Sequence, residues 1–299
     1  MNIKKYLPII TGITFSILFG FTFMFTKGVL EILPIFHLLG FRYGFAAISM
    51  TIIYKLGLIK INFKDKNLKA LFFLATAQPG LYFVFETLGV NMTSSSEAGL
   101  MVSLIPVVVT ILASIFLNEK TSKIQATFVI LSVAGVVFIT IMKGTTEVPN
   151  NYFGLLMLMG AVLMGAVYNI LSRKLSLEFS PVEITYGMVW YGAILFNIIG
   201  FFQHQGSFVE YFEPLSNLNI LIPIFYLGVL ASVIAFFMMN YTLSRVPASQ
   251  GAVFANLTTV VSIIAGVVFR GESFYFFQFI GAAMIIIGVW GTNYYGKIE

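Results

Sequence analysis

Residues 97–119 read EAGLMVSLIPVVVTILASIFLNE, and residues 250–272 read QGAVFANLTTVVSIIAGVVFRGE. One constant offset, the step from 119 to 272, lays the second stretch on the first. Ala113 then meets Gly266, Phe116 meets Phe269 and Glu119 meets Glu272. Beyond the turn the same offset pairs Gln125 with Gln278 and Gly135 with Gly288. Each copy is an apolar run, a short turn holding Glu, and a second apolar run. A helix needs ~20 apolar residues to cross the ~30 Å of bilayer hydrocarbon, and these runs have that length. The stretch therefore predicts a membrane-embedded helical chain with an internal repeat.

Outward from the two copies, runs of this kind recur along the chain. Ten are read, at about 7–30, 34–54, 68–90, 96–117, 123–142, 152–173, 181–202, 218–243, 247–269 and 273–294. They are continuously apolar rather than alternating residue by residue, which excludes a β-barrel. Pro34, Pro181 and Pro247 stand near helix starts, where the missing N–H costs little. The fold class expected is all-α integral membrane, with ten transmembrane helices as two inverted five-helix repeats, 1–145 and 146–299. The inversion follows from counting: five spans per copy is odd, so the second copy enters from the opposite face. Glu119 and Glu272 then lie on opposite sides. Inverted repeats let the opening move from one face to the other when the halves exchange conformations.

Composition agrees. Of 299 residues, 59% are hydrophobic and 10% charged, against about 25% charged in soluble domains; mean hydropathy is +0.94. No cleavable leader is read, because the first apolar run is too long for an h-region and lacks a small-residue cleavage site; the first span serves as the targeting signal. The chain has no cysteine, which excludes disulfides, thiolate catalysis and Cys-ligated metals. Two histidines, His37 and His204, do not make a metal site; no metal and no cofactor are expected.

The net charge of +5 is explained by position. Alternate connections carry Lys4 and Lys5; Lys55, Lys60, Lys64, Lys66 and Lys69; Lys120 and Lys123; Arg173 and Lys174; Arg245; and Lys297. The opposite connections carry Lys27, Lys143 and Arg270, and Arg42 lies within a span. Cytoplasmic loops are the Lys/Arg-rich ones. The bias therefore places both termini in the cytoplasm and the chain in the cytoplasmic membrane. The 203–217 loop, with Glu210 and Glu213 and no Lys or Arg, suits the outer side.

The stretch PIFHLLGFR at 34–42, the segment TSSSEAGLMVSLIPVVVTILASIFLNEK at 93–120 and its second copy at 247–272 resemble the drug/metabolite transporter superfamily in its EamA-type branch. The resemblance covers essentially the whole chain. It implies ten helices in two inverted five-helix halves, a central substrate cavity, and export of amino acids or other small metabolites. Substrate identity does not carry over, because the branch is chemically diverse. The second copy departs from the pattern where Thr259 stands in place of the proline matching Pro106, so symmetric kinking loses its proline.

A charge inside a membrane helix is costly unless it faces protein or water, so intramembrane charges head the candidates for substrate binding. Glu86, within the third span, would bind a substrate amine or a proton; its bland reading is a carboxylate bonded to a neighbouring helix or snorkelling to headgroups. Arg42 lies about eight residues into the second span, ~12 Å along the helix at 1.5 Å per residue. It stays protonated and needs an anionic or carbonyl partner, and it could meet Glu86 across a shared cavity. Glu97 opens the fourth span as the last residue of Ser94-Ser95-Ser96-Glu97, a capping box, so it either caps the helix or touches substrate. Gln78, Tyr82, Tyr168, Asn169, Tyr186, Asn240 and Asn256 offer amides and phenols that orient a ligand without the cost of a charge. Interhelical hydrogen bonding is the plainer reading of each. Glu119 and Glu272 read as architectural, bonding orphan helix ends; His37 reads as interfacial, and Trp190 and Trp290 as facing lipid or the interface belt. Gly160, Gly165, Gly281 and Gly288 permit close helix approach and are compatible with a homodimer without requiring one.

Other classes fit less well. There is no H-E-x-x-H, acidic metal cluster or Gly-rich phosphate loop, so an integral membrane enzyme is disfavoured, and no basic face suits nucleic acid. No cytoplasmic loop is long enough to dock a separate ATPase, which disfavours a permease subunit of a larger complex. A phosphate exchanger would place several Lys or Arg in its cavity. The partners expected are the lipid bilayer and a small-molecule substrate.

Overall fold

The computed structural model describes residues 3–92, 101–143, 152–203, 207–270 and 273–296, and every described element is helical. In chain order these are α1 (Ile3–Leu30), α2 (Ile35–Lys55), a three-part α3, α4 (Ile105–Phe116), α5 (Lys123–Lys143), α6 (Tyr152–Leu175) and α7 (Pro181–Gln203). A short α8 (Phe208–Phe212) with a 3-10 turn (Glu213–Ser216) precedes a three-part α9, a three-part α10 and α11 (Phe276–Tyr294). Nine segments among the described residues are long and apolar enough to cross a membrane. The tenth expected span is described only as α4, a 12-residue apolar helix; Glu97, at its expected start, lies outside the described residues, as do His204 and Glu272.

Three helices are interrupted. α3 runs Leu68–Ala75, widens to a π segment at Thr76–Leu81 and resumes as Tyr82–Met92. α9 runs Leu218–Phe225, a π segment at Tyr226–Ala235, then Phe236–Arg245. α10 runs Ala248–Val253, a 3-10 turn at Phe254–Asn256, then Leu257–Arg270. Residues 103–104 form a turn directly before α4. Pro106 stands at the start of α4, yet the second copy breaks at the equivalent place with Thr259 there instead. The break needs no proline because a neighbour satisfies the loosened backbone: Ser16 Oγ donates to the Phe254 carbonyl at 2.7 Å, as buried backbone in a membrane requires.

α2 packs along α7, and α5 along α11. α3 packs on α6 as α1 packs on α9, and α4 packs on α6 as α1 packs on α10. The α5–α11 contact is close because glycines face each other. A Cβ on Gly135 would lie 2.7 Å from the Gly281 carbonyl oxygen, and one on Gly281 2.9 Å from that of Gly135. Outward faces are apolar: Ile115, Ile130, Phe202, Phe269 and Trp290 are each more than half exposed. Such a surface is stable only where lipid replaces water, and this is a multi-pass membrane protein.

One end of the bundle gathers the basic connections. Glu183 accepts the Lys66 ammonium at 2.6 Å and the backbone N–H groups of Asn62 at 2.9 Å and Ser180 at 2.8 Å. Ser180 Oγ accepts in turn from the Glu183 N–H at 3.3 Å, completing a capping box for α7. Glu178 accepts the Asn67 N–H. The 56–67 connection is thereby stapled to the start of α7. At the other end His37 differs from the interfacial reading: it is fully buried, stacked on the Tyr211 ring at 4.3 Å, with Nε2 donating to the Tyr211 carbonyl at 2.7 Å. α8 supplies that cover.

Candidate functional site

The charged candidates come together where the π segment of α9 faces α2. Arg42 and Tyr43 on α2 are buried. Arg42 Nε donates to Ser232 Oγ at 2.7 Å, and Ser232, inside the π segment of α9, donates to the Leu227 carbonyl at 2.8 Å. A π turn leaves a carbonyl for such a bond and is a frequent mark of functional positions. The close approach is set by Gly228, where a Cβ would meet the Arg42 carbonyl at 2.8 Å. The guanidinium also lies over the Phe83 ring, 5.0 Å from its centroid, and 5.7 Å from that of Tyr43; a desolvated cation gains from the negative ring face.

α3 supplies the other side. Below its π segment, Tyr82 OH donates to Glu86 Oε1 at 3.0 Å, one helical turn apart. Phe83, under the guanidinium, also meets the Tyr82 ring at 5.2 Å and the Tyr43 ring at 6.0 Å between centroids, so Arg42, Tyr43, Tyr82 and Glu86 share one neighbourhood. The two charges do not pair: the ion pairs among the described residues are Lys66–Glu183 and Arg173–Glu119. The direct Arg42–Glu86 pair considered from sequence is absent there. Gln78 is buried in the π segment with extended backbone, φ −150° and ψ 121°. The Tyr43 hydroxyl is buried beside Ser232, with no hydrogen bond of normal geometry among the described residues.

Asn169 lies on α6. Its Nδ2 donates to the Gly165 carbonyl at 2.8 Å, and Gly165 abuts the Tyr82 ring. Its Oδ1 is buried with no hydrogen-bond partner among the described residues. It therefore presents an open acceptor beside the α3 group.

The remaining candidates lie elsewhere. Tyr168 OH and Ser172 Oγ both donate to Asn240 Oδ1 at 2.7 Å, and Asn240 Nδ2 donates to Thr185 Oγ1 at 3.1 Å. This network ties α6, α7 and α9 and satisfies itself. Asn256 Nδ2 donates to Ser132 Oγ at 3.0 Å, joining α10 to α5. Tyr186 sits in an aromatic group with Tyr54, Phe63 and Trp190, at the basic end. A hollow of about 370 Å³ lined by Leu30, Leu33, Pro34, Ile35, Phe36 and Gln203 opens at the opposite end and holds none of these residues.

Sequence reasoning missed Ser232 and Phe83, which hold Arg42. Ser232 left a faint signal, as the lone hydroxyl between Leu227 and Phe237. Nothing in the pattern distinguished Phe83 from 31 other phenylalanines, the chain holding 32.

The EamA-like transporter family profile matches this chain twice, at residues 7–141 and 152–294. The chain is 35% identical over 286 residues to "Uncharacterized transporter YcxC" of Bacillus subtilis (strain 168), covering 95% of this chain and 92% of that protein. It is 27% identical over 271 residues to "Uncharacterized transporter YetK" of the same organism, covering 89% and 80%. A solved structure titled "Crystal structure of protein" superposes with a TM-score of 0.81 at 17% identity, covering 96% of this chain and 98% of that one, which speaks to the fold alone. With the profile spanning nearly every residue and a relative this similar along its length, the chain belongs to the EamA-like transporter family.

Proposed function

We propose that this transporter is a secondary carrier that exports a small zwitterionic metabolite, such as an amino acid, across the cytoplasmic membrane. One observation carries the substrate class. Arg42, buried, and Glu86, half-buried, are held in the same neighbourhood by Ser232 and Tyr82, without forming an ion pair. An intramembrane arginine costs about 2.5–3.5 kcal/mol on insertion scales, and a bound carboxylate would offset that through a charge-assisted hydrogen bond. Glu86 would receive the ammonium, with Tyr82, Gln78 and Asn169 orienting the rest of the molecule. Tyr168, Asn240, Asn256 and Tyr186 serve packing in this reading.

The carrier works by alternating access between inverted halves, 1–145 and 146–299, with ten spans and both termini cytoplasmic. Support for the inversion is the pairing of the main contacts: α3–α6 answers α9–α1, α4–α6 answers α10–α1 and α2–α9 answers α7–α3, while α2–α7, α4–α10 and α5–α11 join equivalents directly. The interruptions follow the same rule, Thr76–Leu81 answering Tyr226–Ala235 and 103–104 answering Phe254–Asn256.

The test is efflux and counterflow in proteoliposomes across a panel of amino acids and metabolites, with and without a pH gradient. A transported amino acid should be outcompeted by its own unlabelled form but not by its carboxamide or its N-acetyl derivative, each lacking one charge. Equal competition by the singly charged analogues would remove the zwitterion reading. Topology is checked separately. A reporter active only in the cytoplasm should work when fused to the C-terminus and fail within 203–217; the reverse pattern would overturn the orientation.

A further inference from the structure

We propose that Arg173 is the clasp of the inner gate, holding the basic end of the bundle shut until it releases. The inference rests on the alternating-access reading above. Arg173 Nε donates to Glu119 Oε1 at 2.9 Å, and its Nη1 donates to the carbonyls of Ser244 at 3.2 Å and Leu243 at 3.5 Å. Glu119 Oε2 accepts the Ala248 N–H at 2.7 Å. One guanidinium and one carboxylate thus join the α4–α5 turn to the ends of α6 and α9 and the start of α10. Glu119 belongs to the first half; the other three attachments belong to the second.

What makes this a gate rather than a general staple is where the helices part. α4 packs on the Ala248–Val253 piece of α10. Beyond the 3-10 turn, the Leu257–Arg270 piece packs instead on α1 and α11. α4 and α10 therefore meet at the basic end and diverge away from it, and the clasp sits at the meeting point. Opening this end to the cytoplasm requires those bonds to break together. The Lys66–Glu183 pair also crosses the halves, but it ties the 56–67 connection to the start of α7, beside α2, which packs along α7, so it marks no point where packed helices diverge. Both clasp side chains are partly exposed, 14% for Arg173 and 17% for Glu119. Water can therefore solvate each charge once the bonds break, which keeps release inexpensive compared with a fully buried pair. The planar fork of Arg serves three acceptors at once; a lysine presents a point charge and does not.

The native chain lacks cysteine, so a single Ala252→Cys reports on the closed end; Ala252 is buried, 1% exposed. An impermeant maleimide is applied to inside-out vesicles holding the otherwise intact transporter. Arg173→Gln should raise the labelling rate at Ala252→Cys at least about tenfold and slow transport, with Arg173→Lys between it and the parent. Properly folded Arg173→Gln protein with parental labelling and transport would overturn the proposal. A second measurement keeps Arg173 and Glu119 in place. Lys120→Cys and Ser249→Cys, flanking the clasp, are bridged by a short bis-methanethiosulfonate reagent. Transport should stop on bridging and return with dithiothreitol; continued transport by the bridged protein would overturn the gate. Labelling that never responds to substrate anywhere in the bundle would overturn the carrier reading and the gate with it. Substrate-dependent labelling that ignores Arg173→Gln would overturn the gate alone.

Discussion

Arg42→Gln should abolish transport while leaving folded yield near normal. Glutamine keeps a donor for Ser232 and fits the space, so the contact between α2 and the π segment of α9 survives. What disappears is the positive charge, and with it the charge-assisted bond to the substrate carboxylate that we propose. A hydrogen bond to a charged group contributes about 1.5–3 kcal/mol, which corresponds to a loss of roughly 10- to 150-fold in transport at limiting substrate. Glu86→Gln should lose transport on the same scale and keep its bond from Tyr82. The double mutant should be as inactive as either single, with no recovery of yield, because the two side chains form no ion pair whose breakage one partner must bear alone. Ser232→Ala sharpens the point: Arg42 retains its charge but loses its anchor, and transport should fall only partly. Parental transport in all four variants, measured in proteoliposomes, would move the site to another part of the bundle.

Gly281→Leu should eliminate the folded protein. On that helix face the obstacle is backbone: a Cβ on Gly281 already lies 2.9 Å from the Gly135 carbonyl oxygen and strikes the Ile139 side chain. Overpacking typically costs about 1–3 kcal/mol and sometimes more, and here neither opposing backbone can yield without separating α5 from α11. Gly281→Ala should lower the unfolding midpoint, and Gly281→Leu should leave no monodisperse peak in detergent. Gly28→Ala is the contrast, since nothing lies within 4 Å of its Cβ position; its unfolding midpoint should not fall. Equal behaviour of Gly281→Leu and the parent would show that the helices do not approach as closely as described.

Much of this was legible in the chain because membrane insertion imposes its grammar on sequence. Span length is a local pattern, and it gave the apolar helices; the repeated Glu turn pointed to a duplication, and the family profile matches the chain twice. Glu119 was rightly read as serving helix ends, since a carboxylate after an apolar run has few other uses; it accepts the N–H of Ala248. Arg42 and Glu86 stood out because charge within lipid demands a reason, and the structure places them in one neighbourhood. That Tyr168 and Asn240 bond each other was not legible, for an amide's sequence letter does not name its partner. His37 was misread for a related reason: its cover comes from α8, some 170 residues away, and no local pattern announces that contact. The Glu183 capping box, by contrast, stood in the sequence as Ser180-Pro181-Val182-Glu183 and went unused.

The π segment in α9 also works as a phase shifter. An α-helix turns by 3.6 residues, so each residue advances a side chain by about 100° around the axis. A π segment spreads its turn over more residues, so everything after it is rotated relative to an uninterrupted helix. Ser232 faces Arg42 within that segment, while Asn240, after it, faces Tyr168 and Thr185. Both facings coexist on one helix because of the extra length between Tyr226 and Ala235. Deleting a single residue there would let the coil tighten and swing the whole of Phe236–Arg245 to a different bearing. Asn240 would leave its partners, and the carbonyls of Leu243 and Ser244 would turn away from Arg173. For this transporter, a one-residue deletion mid-span should be more damaging than most substitutions along the same helix.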